Sequence, residues 1–395
     1  MPVRIARSLE EIDSRRWNAL DLGGSPFLRH EFLLAAEQSG AAVPATGWDP
    51  HFLLLEDTGH GLTGAVPLYL KSHSRGEFMF DSGWADASER AGRAWYPKLI
   101  AAVPFTPATG PRLLVHPAAD AVAVRSRLLA ACRELRRELA AASLQLLFVT
   151  AAERQLPAAQ ALLPRLDCQF HWHNAGFTDF DAYLAGFTAA KRKNLRRERR
   201  RVGEAGVRFE TLHGGELDDE RLRTLYRLHA GTFRRHGQDP YLSLDFFRRL
   251  CRTMPAALVV QFAQQGDSTV GCSLSLRGAD TLYGRYWGAA RELHSLHFET
   301  CYYRGIDYCI REQLAHFEPG AQGEYKLLRG FAPQPVWSLY DVGDARMAAA
   351  IARVLELERA GMARYLAAAA AHLPFRRGPG TGAEDDATDH LARGL

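Results

Sequence analysis

The feature that most restricts the fold of this chain is a repeated order of elements. Strand, two helices, hairpin, strand, helix and strand occur in one half and again in the other. In the first half, Ser8-Leu9-Glu10-Glu11 reads as a capping box opening a helix towards Trp17, and Ser25-Pro26-Phe27 leads into a helix over 30–38. Residues 52–56 and 62–70 form a hairpin turning at Gly59-His60-Gly61, and 78–80 continue the sheet. A helix over 89–101 interrupted by Pro97, a helix over 119–140 and a strand over 144–149 follow. In the second half, 206–212 is a strand. Asp218-Asp219-Glu220 caps a helix to Arg235, and Ser243 caps another through Phe246, Phe247 and Leu250. Strands 257–263 and 270–276 form the second hairpin, with a strand over 281–287, a helix over 297–314, a strand over 316–318 and a closing strand over 336–340. Laid over each other, the hairpins align Gly64 with Gly271 and share their alternation.

The expected fold class is therefore α/β (α+β), with two copies of one unit whose mixed sheets are flanked by helices. The expected division is 1–166 and 167–345, the second unit carrying a basic helix over 188–204. An alanine-rich helix follows over 346–373. The tail 374–395, with Gly378, Pro379, Gly380, Gly382 and an acidic cluster, is expected to be disordered. A length of 395 residues exceeds one ordinary core, which agrees with two units.

The glycine-rich stretch 317–331 concentrates titratable groups. It places Glu318, Glu324, Lys326 and Arg329 among Pro319, Gly320, Gly323 and Gly330, directly after a short apolar strand. Proline and glycine exclude a regular helix, and charged groups on such backbone suit a site, although a solvated surface turn has the same composition. The 191–201 segment, Lys-Arg-Lys-Asn-Leu-Arg-Arg-Glu-Arg-Arg-Arg, sets eight cations against one acid. Repulsion at i,i+4 spacing costs helix stability, and an anionic partner would relieve it. A cofactor pyrophosphate, an RNA backbone and an undecaprenyl-type head group all qualify, and a solvated face with salt bridges is the competing reading. Lys191, Arg192, Arg196 and Arg197 are the anion-binding candidates on this helix.

His171 and His173 alternate on one side of an expected strand, with no third ligand nearby, so a cleft wall is favoured over a metal site and no metal is expected. Tyr283 and Arg285 alternate on a later strand, where an arginine among aromatics suits a phosphate or a ring face. Glu299 opens the next helix, where a dipole-stabilised cap is the bland explanation. Asp81-Ser82-Gly83-Trp84-Ala85-Asp86 reads as a polar turn able to line a cleft.

Several function classes lose their warrant. No GxxxxGK[ST], HExxH or GxSxG element occurs. The net charge of +4 makes any anion site a local matter. Six cysteines without a CxxC pair read as free thiols. No window reaches a membrane-spanning length and no signal peptide is visible, so a cytoplasmic, non-transmembrane protein is expected.

Taken together, Ser25-Pro26-Phe27, Pro104-Phe105-Thr106-Pro107, Cys168-Gln169-Phe170-His171-Trp172-His173-Asn174, the 191–201 helix, Leu296-His297-Phe298-Glu299-Thr300 and the 318–329 loop resemble the FemAB-like N-acyltransferases of the GNAT superfamily, over about residues 25–340. The resemblance implies tandem GNAT-like units and transfer of an acyl or aminoacyl group from an activated, phosphate-bearing donor to an amine. The donor would be acyl-CoA or aminoacyl-tRNA, and the acceptor an amine such as a peptidoglycan precursor. Aminolysis of an activated ester needs a proton acceptor and donors for the oxyanion. Glu324 or Glu299 is the expected base, with His171 in reserve. Lys326 and Arg329 are expected to hold a phosphate or carboxylate, with Tyr283, Arg285, His173 and the basic helix binding donor or acceptor. A catalytically inactive module recognising a cell-wall precursor or RNA is the alternative.

Overall fold

A computed structural model describes residues 2–57, 61–321 and 323–376. The expected turn at Gly59-His60 and the tail 377–395 lie outside the described residues. The strands, in chain order, are β1 (Val3–Ala6), β2 (Trp48–Pro50), β3 (Phe52–Asp57), β4 (Gly61–Val66), β5 (Leu68–Lys71), β6 (Lys98–Ala101), β7 (Leu114–Val115), β8 (Ser143–Val149), β9 (Leu163–His173), β10 (Val207–His213), β11 (Leu258–Gln265), β12 (Ser268–Arg277), β13 (Thr281–Ala289), β14 (His316–Glu318) and β15 (Ala332–Val342). Helices flank them, giving the expected mixed α/β class.

The repeat shows in the topology. In each half one pair of strands runs parallel, joined by a helix: β6 to β8 through Ala121–Glu138, and β13 to β14 through the helical stretch that ends at Arg311. A parallel pair requires such a crossover. The halves differ at the hairpin. In the second half β11 and β12 are continuous, whereas the first-half ladder breaks at His51 and Pro67. Proline supplies no ladder N–H, so the chain changes sheets there. β3 and β4 join β1 and β7 in a four-stranded sheet, while β2 and β5 join β6.

The second sheet runs without interruption through both halves, in the order β10-β11-β12-β13-β14-β9-β15-β8-β6-β5-β2. The strand expected over 336–340 to close the second half is β15. It lies between β9 and the first-half strand β8, pairing with both. The boundary expected at 166/167 falls inside β9. By contrast β14 meets β9 at only two positions, His316 with His173 and Phe317 with Trp172. Aromatic packing adds to the join: Phe27 meets Tyr283 edge-on at 5.0 Å, Phe32 meets Phe246 at 5.5 Å, and Phe105 stacks on Tyr241 at 5.0 Å. The 104–107 segment is buried in this seam.

Other sequence expectations shift. Residues 78–80 form no strand, and the helix expected over 89–101 is instead a helix at Ser82–Arg90 followed by β6. Asp81 is no cleft wall. It is 2% exposed, ion-paired with buried Lys98 at 2.6 Å, and accepts from the Trp95 indole. The basic helix spans Ala189–Glu204 and the C-terminal helix Ala345–Ala371. The tail expected from Pro374 begins with docked residues: Phe375 bridges Phe187 and packs on it at 4.8 Å. No described helix is long and apolar enough to cross a membrane.

Candidate functional site

β13 and β14 pair only over Thr281–Tyr283 and His316–Glu318. At the next residues Gly284 passes so close to Pro319 that a Cβ would sit 3.1 Å from its Cα, and a side chain there would push the strands apart. Beyond this point the strands diverge around a cavity of about 180 Å³. Its walls come from β12 (Ser273, Ser275), β13 (Arg285, Tyr286, Trp287), the helix that follows (His297, Cys301, Tyr302) and the loop after β14 (Pro319, Gly320, Tyr325, Lys326). That loop ends in a 3₁₀ turn, Glu324–Arg329. Gly323 enters it at φ 110°, where a Cβ would strike the Tyr325 ring, so the turn needs glycine.

Lys326 is the central group. It is 1% exposed, and its Nζ donates to the Gly320 carbonyl at 2.6 Å. No carboxylate among the described residues pairs with it, and none lines the cavity. Burial pulls its pKa down to about 7, weakly opposed by the Cys301 thiol. Glu318, the last residue of β14, moves the other way: burial raises its carboxyl to about 8 against the pull of Arg285, with Asp280 adding to the rise. His171 on β9 faces it, Nδ1 to Oε1 3.9 Å, beyond hydrogen-bonding distance. Burial lowers the imidazole to about 3, helped by His173, Lys326 and His316. A neutral His171 whose Nε2–H donates to Gln169 Oε1 at 3.2 Å turns a bare Nδ1 towards Glu318. An amine, a carboxyl and an imidazole whose burial disfavours their charged forms are thus gathered around one loop, the pattern of groups tuned for proton transfer.

The remaining sequence candidates fall into three places. Arg285 lines the cavity, its guanidinium among the rings of Phe27, Phe78 and Tyr286 and bonded to the Phe105 carbonyl. Tyr283, on the same strand, points into the seam between the halves.

A second set is locked behind the cavity wall. Glu299 is 1% exposed, and its carboxylate is held by Arg199 at 3.1 Å and Arg304 at 2.8 Å. It sits in a π turn, Glu299–Tyr303, rather than at a helix start. Arg329 spends every nitrogen on the protein: Nε on Tyr303 Oη, Nη1 on the Tyr325 carbonyl and Nη2 on Glu198, with its plane 3.4 Å from the Phe298 ring centre. Glu198 and Arg199 lie on the basic helix, so these ties fasten that helix to the loop and to the cavity wall.

The third set faces outward. Glu324 is exposed and accepts from Tyr365 Oη at 2.7 Å. His173 meets His316, Nδ1 to Nδ1 at 2.9 Å. On the basic helix, Leu195 and Val202 are buried, and Lys191 and Arg192 are half-buried. Lys193, Arg196, Arg197, Arg200 and Arg201 are exposed. Arg196 pairs with Asp181 at 2.7 Å and Arg200 with Glu204 at 3.3 Å, exposed pairs of little energetic weight.

Sequence reasoning passed over Glu318 and His297 as site residues. An acid closing an apolar strand immediately before Pro-Gly was the available signal for Glu318. His297, lowered to about 4 by burial, lines the cavity between Trp287 and Tyr325 and gave none.

No curated protein matches the sequence. Among solved structures, FemX is similar at 10% identity over 89% of this chain and 100% of that one, with a TM-score of 0.53. A conserved protein of unknown function from Bacteroides thetaiotaomicron is similar at 11% identity over 86% and 99%, with a TM-score of 0.50. A tandem GNAT protein from the clavulanic acid biosynthesis pathway matches at 12% identity over 87% and 98%, with a TM-score of 0.44. At such identities the likeness to FemX and to the Bacteroides protein concerns the fold alone. The family match is more specific, running over residues 8–377: the chain belongs to the FemAB-like family, described as peptidoglycan biosynthesis/recognition.

Proposed function

We propose that this chain is an aminoacyltransferase that moves an aminoacyl group from a tRNA-borne ester to an amine, with the chemistry at the divergence of β13 and β14. The observation that carries the reading is Lys326: a buried amine without a counter-ion, facing a cavity that also holds the Arg285 guanidinium and the His297 imidazole and, among the described residues, no carboxylate. Burying an unpaired lysine costs stability, so its retention points to an anion or oxyanion that arrives from outside. An incoming negative charge restores the ammonium and places it where the tetrahedral oxyanion forms. The acceptor amine attacks the ester carbonyl, the new C–N bond forms, and the C–O bond to the ribose breaks. The proton of the newly bonded acceptor nitrogen passes to Glu318 in its ionised form and from there to the departing ribose oxygen, which leaves as a hydroxyl. Family membership supports peptidoglycan-type aminoacyl transfer, and the exposed cations of the basic helix supply the polyanion-binding surface that RNA requires. Acyl-CoA is the competing donor.

The two donors separate in one experiment. The protein is digested with trypsin in the presence of aminoacyl-tRNA, acetyl-CoA or neither, and cleavage within 191–201 is followed by mass spectrometry. Protection by aminoacyl-tRNA that weakens steeply with salt supports the proposal. Protection by acetyl-CoA alone would replace the donor, and no protection by either would remove the role of the helix.

A further inference from the structure

The basic helix carries more positive charge than its described surroundings neutralise. Arg196 pairs with Asp181, Arg199 with Glu299 and Asp307, and Arg200 with Glu204. Among the described residues no carboxylate pairs with Lys191, Arg192, Lys193, Arg197 or Arg201. The bonds these five make are to neutral groups: Arg192 donates to the Phe187 carbonyl at 3.2 Å, Arg197 to Asn194 Oδ1 at 3.1 Å and Arg201 to His294 Nε2 at 3.3 Å. Lys193, Arg197 and Arg201 are exposed, and their i,i+4 spacing sets them in one row along the helix, where like charges repel. The C-terminal segment of the chain leaves the folded body beside the first turn of this helix. The Thr188 N–H, at the helix cap, donates to the Pro374 carbonyl at 3.0 Å, and the Arg376 N–H donates to the Gly186 carbonyl at 2.9 Å. Further along the sequence, Glu384-Asp385-Asp386 and Asp389 bring four acids into six positions, with no cation between them. Gly378, Gly380 and Gly382, on the way, carry no side chain to obstruct an approach. From Arg376 to Glu384 the chain can extend about 27 Å. From Thr188 to Arg201 the helix rises about 20 Å, so the whole cationic row is within reach.

We infer that in the free protein the acids of residues 384–389 dock along the Lys193–Arg197–Arg201 row, and that a polyanionic donor must displace them to bind. The displacement rests on the transfer reading above and gives its donor surface a regulator; the docking itself does not depend on that reading. A single exposed ion pair contributes little. The tether changes the balance, because a short linker holds the acids at an effective concentration of about a millimolar, where several weak pairs together keep the contact occupied. Carboxylates in this position relieve the repulsion within the row and are screened by salt. They yield only to a ligand that covers more of the helix. A small anion meets one or two cations and competes poorly, whereas an RNA backbone spans the row together with Lys191 and Arg192 and releases the counterions of all of them. The segment thus works as selection against stray anions at the donor surface.

Lysine usage makes the contact measurable. The chain has five lysines, and Lys71, Lys98 and Lys326 are buried, which leaves Lys191 and Lys193 on the basic helix. The full chain, without RNA, is treated with a carbodiimide, which joins a carboxylate to a neighbouring amine as an amide, and linked peptides are quantified by mass spectrometry. Links within one chain between Lys193 and the acids of 384–389 are expected. Their yield should fall about threefold or more when salt is raised from about 50 mM to about 0.5 M, and by a similar factor when Arg197→Gln and Arg201→Gln are introduced together. The second measurement is binding of unacylated total tRNA, read by fluorescence anisotropy. With Glu384→Gln, Asp385→Asn, Asp386→Asn and Asp389→Asn combined, binding should tighten about tenfold at about 50 mM salt and match wild type at about 0.5 M, as the loss of a few exposed pairs implies. Absence of the Lys193 links, a yield indifferent to salt and to the two arginines, links that join separate chains, or a tRNA affinity that ignores the four acids would each overturn the inference. The two readings fail separately. If the links form as described but neither protein binds tRNA, the tRNA-donor reading falls and the docking stands. If tRNA binds wild type and variant alike and no link forms, the docking falls and the transfer reading stands.

Discussion

Replacing Lys326 by methionine should make this protein more stable. The side chain keeps its length, loses its charge and stays within a wall of Tyr325, Tyr302 and Cys301. The folded pKa of about 7 lies below the ordinary 10.5. The gap, at about 1.36 kcal/mol for each pH unit, bounds the cost of a charged amine in this position at about 5 kcal/mol. Loss of the Nζ bond to Gly320 takes back about 1 kcal/mol. A net gain of about 1–4 kcal/mol is therefore expected at or below pH 7, in line with other replacements of buried charge by apolar groups. The sign with pH is fixed. Between pH 7 and 10.5 the unfolded chain holds the proton that the folded chain has released, so wild-type stability rises through that window. The variant lacks this rise, and its advantage should shrink as pH increases. Urea unfolding of both proteins at pH 6, 7.5 and 9 reads the difference directly. A variant less stable than wild type at pH 6, or an advantage that does not change with pH, would refute the reasoning that Lys326 is buried without a counter-charge.

Other outcomes follow from the same geometry. Glu299→Ala removes the carboxylate shared by Arg199 and Arg304, but Arg199 keeps Asp307 at 2.6 Å, so the cost should be about 1–3 kcal/mol, with faster hydrogen exchange in the basic helix. Glu318→Gln should lower transfer by about 10²–10⁴-fold without loss of fold, and should remove the rise in wild-type rate as pH passes about 8. Since that carboxyl is raised on folding, wild-type stability should fall between pH 4.5 and 8, and the glutamine variant should lack this decline. Replacing exposed Arg197, Arg200 and Arg201 together by glutamine should leave thermal stability nearly unchanged while lowering the log–log salt slope of RNA binding by up to about 2.

What the sequence made legible was local. The apolar positions Leu195 and Val202 place the basic helix, Asp218 and Ser243 cap their helices, and alternation marks β11 to β13. What it concealed was partnership. Glu299, Arg329 and Lys326 carry ordinary charges in sequence, and only folding decides that Glu299 pairs with Arg199 and Arg304 and Arg329 with Glu198 while Lys326 is left alone. β15 reads as the last strand of its own half because nothing local encodes its pairing with β8, which lies almost two hundred residues earlier. Pro67 was the one visible sign that the two hairpins would diverge, and it lay inside what alternation presented as a single strand. The site candidates were scattered for the same reason. Composition located the loop after β14, but burial, which shifts Lys326, Glu318 and His171, is a property of the packed chain.

The measurement closest to the central claim is amide formation itself. The full chain is incubated with aminoacylated total tRNA and a set of primary amines, and the aminoacyl amide is quantified by mass spectrometry for wild type and Lys326→Met. Amide from the wild type, reduced about 10²–10³-fold in the variant as expected for loss of an oxyanion-stabilising donor, is the predicted result. Amide formed equally well by both proteins, or formed from acetyl-CoA while charged tRNA stays inert, would contradict it.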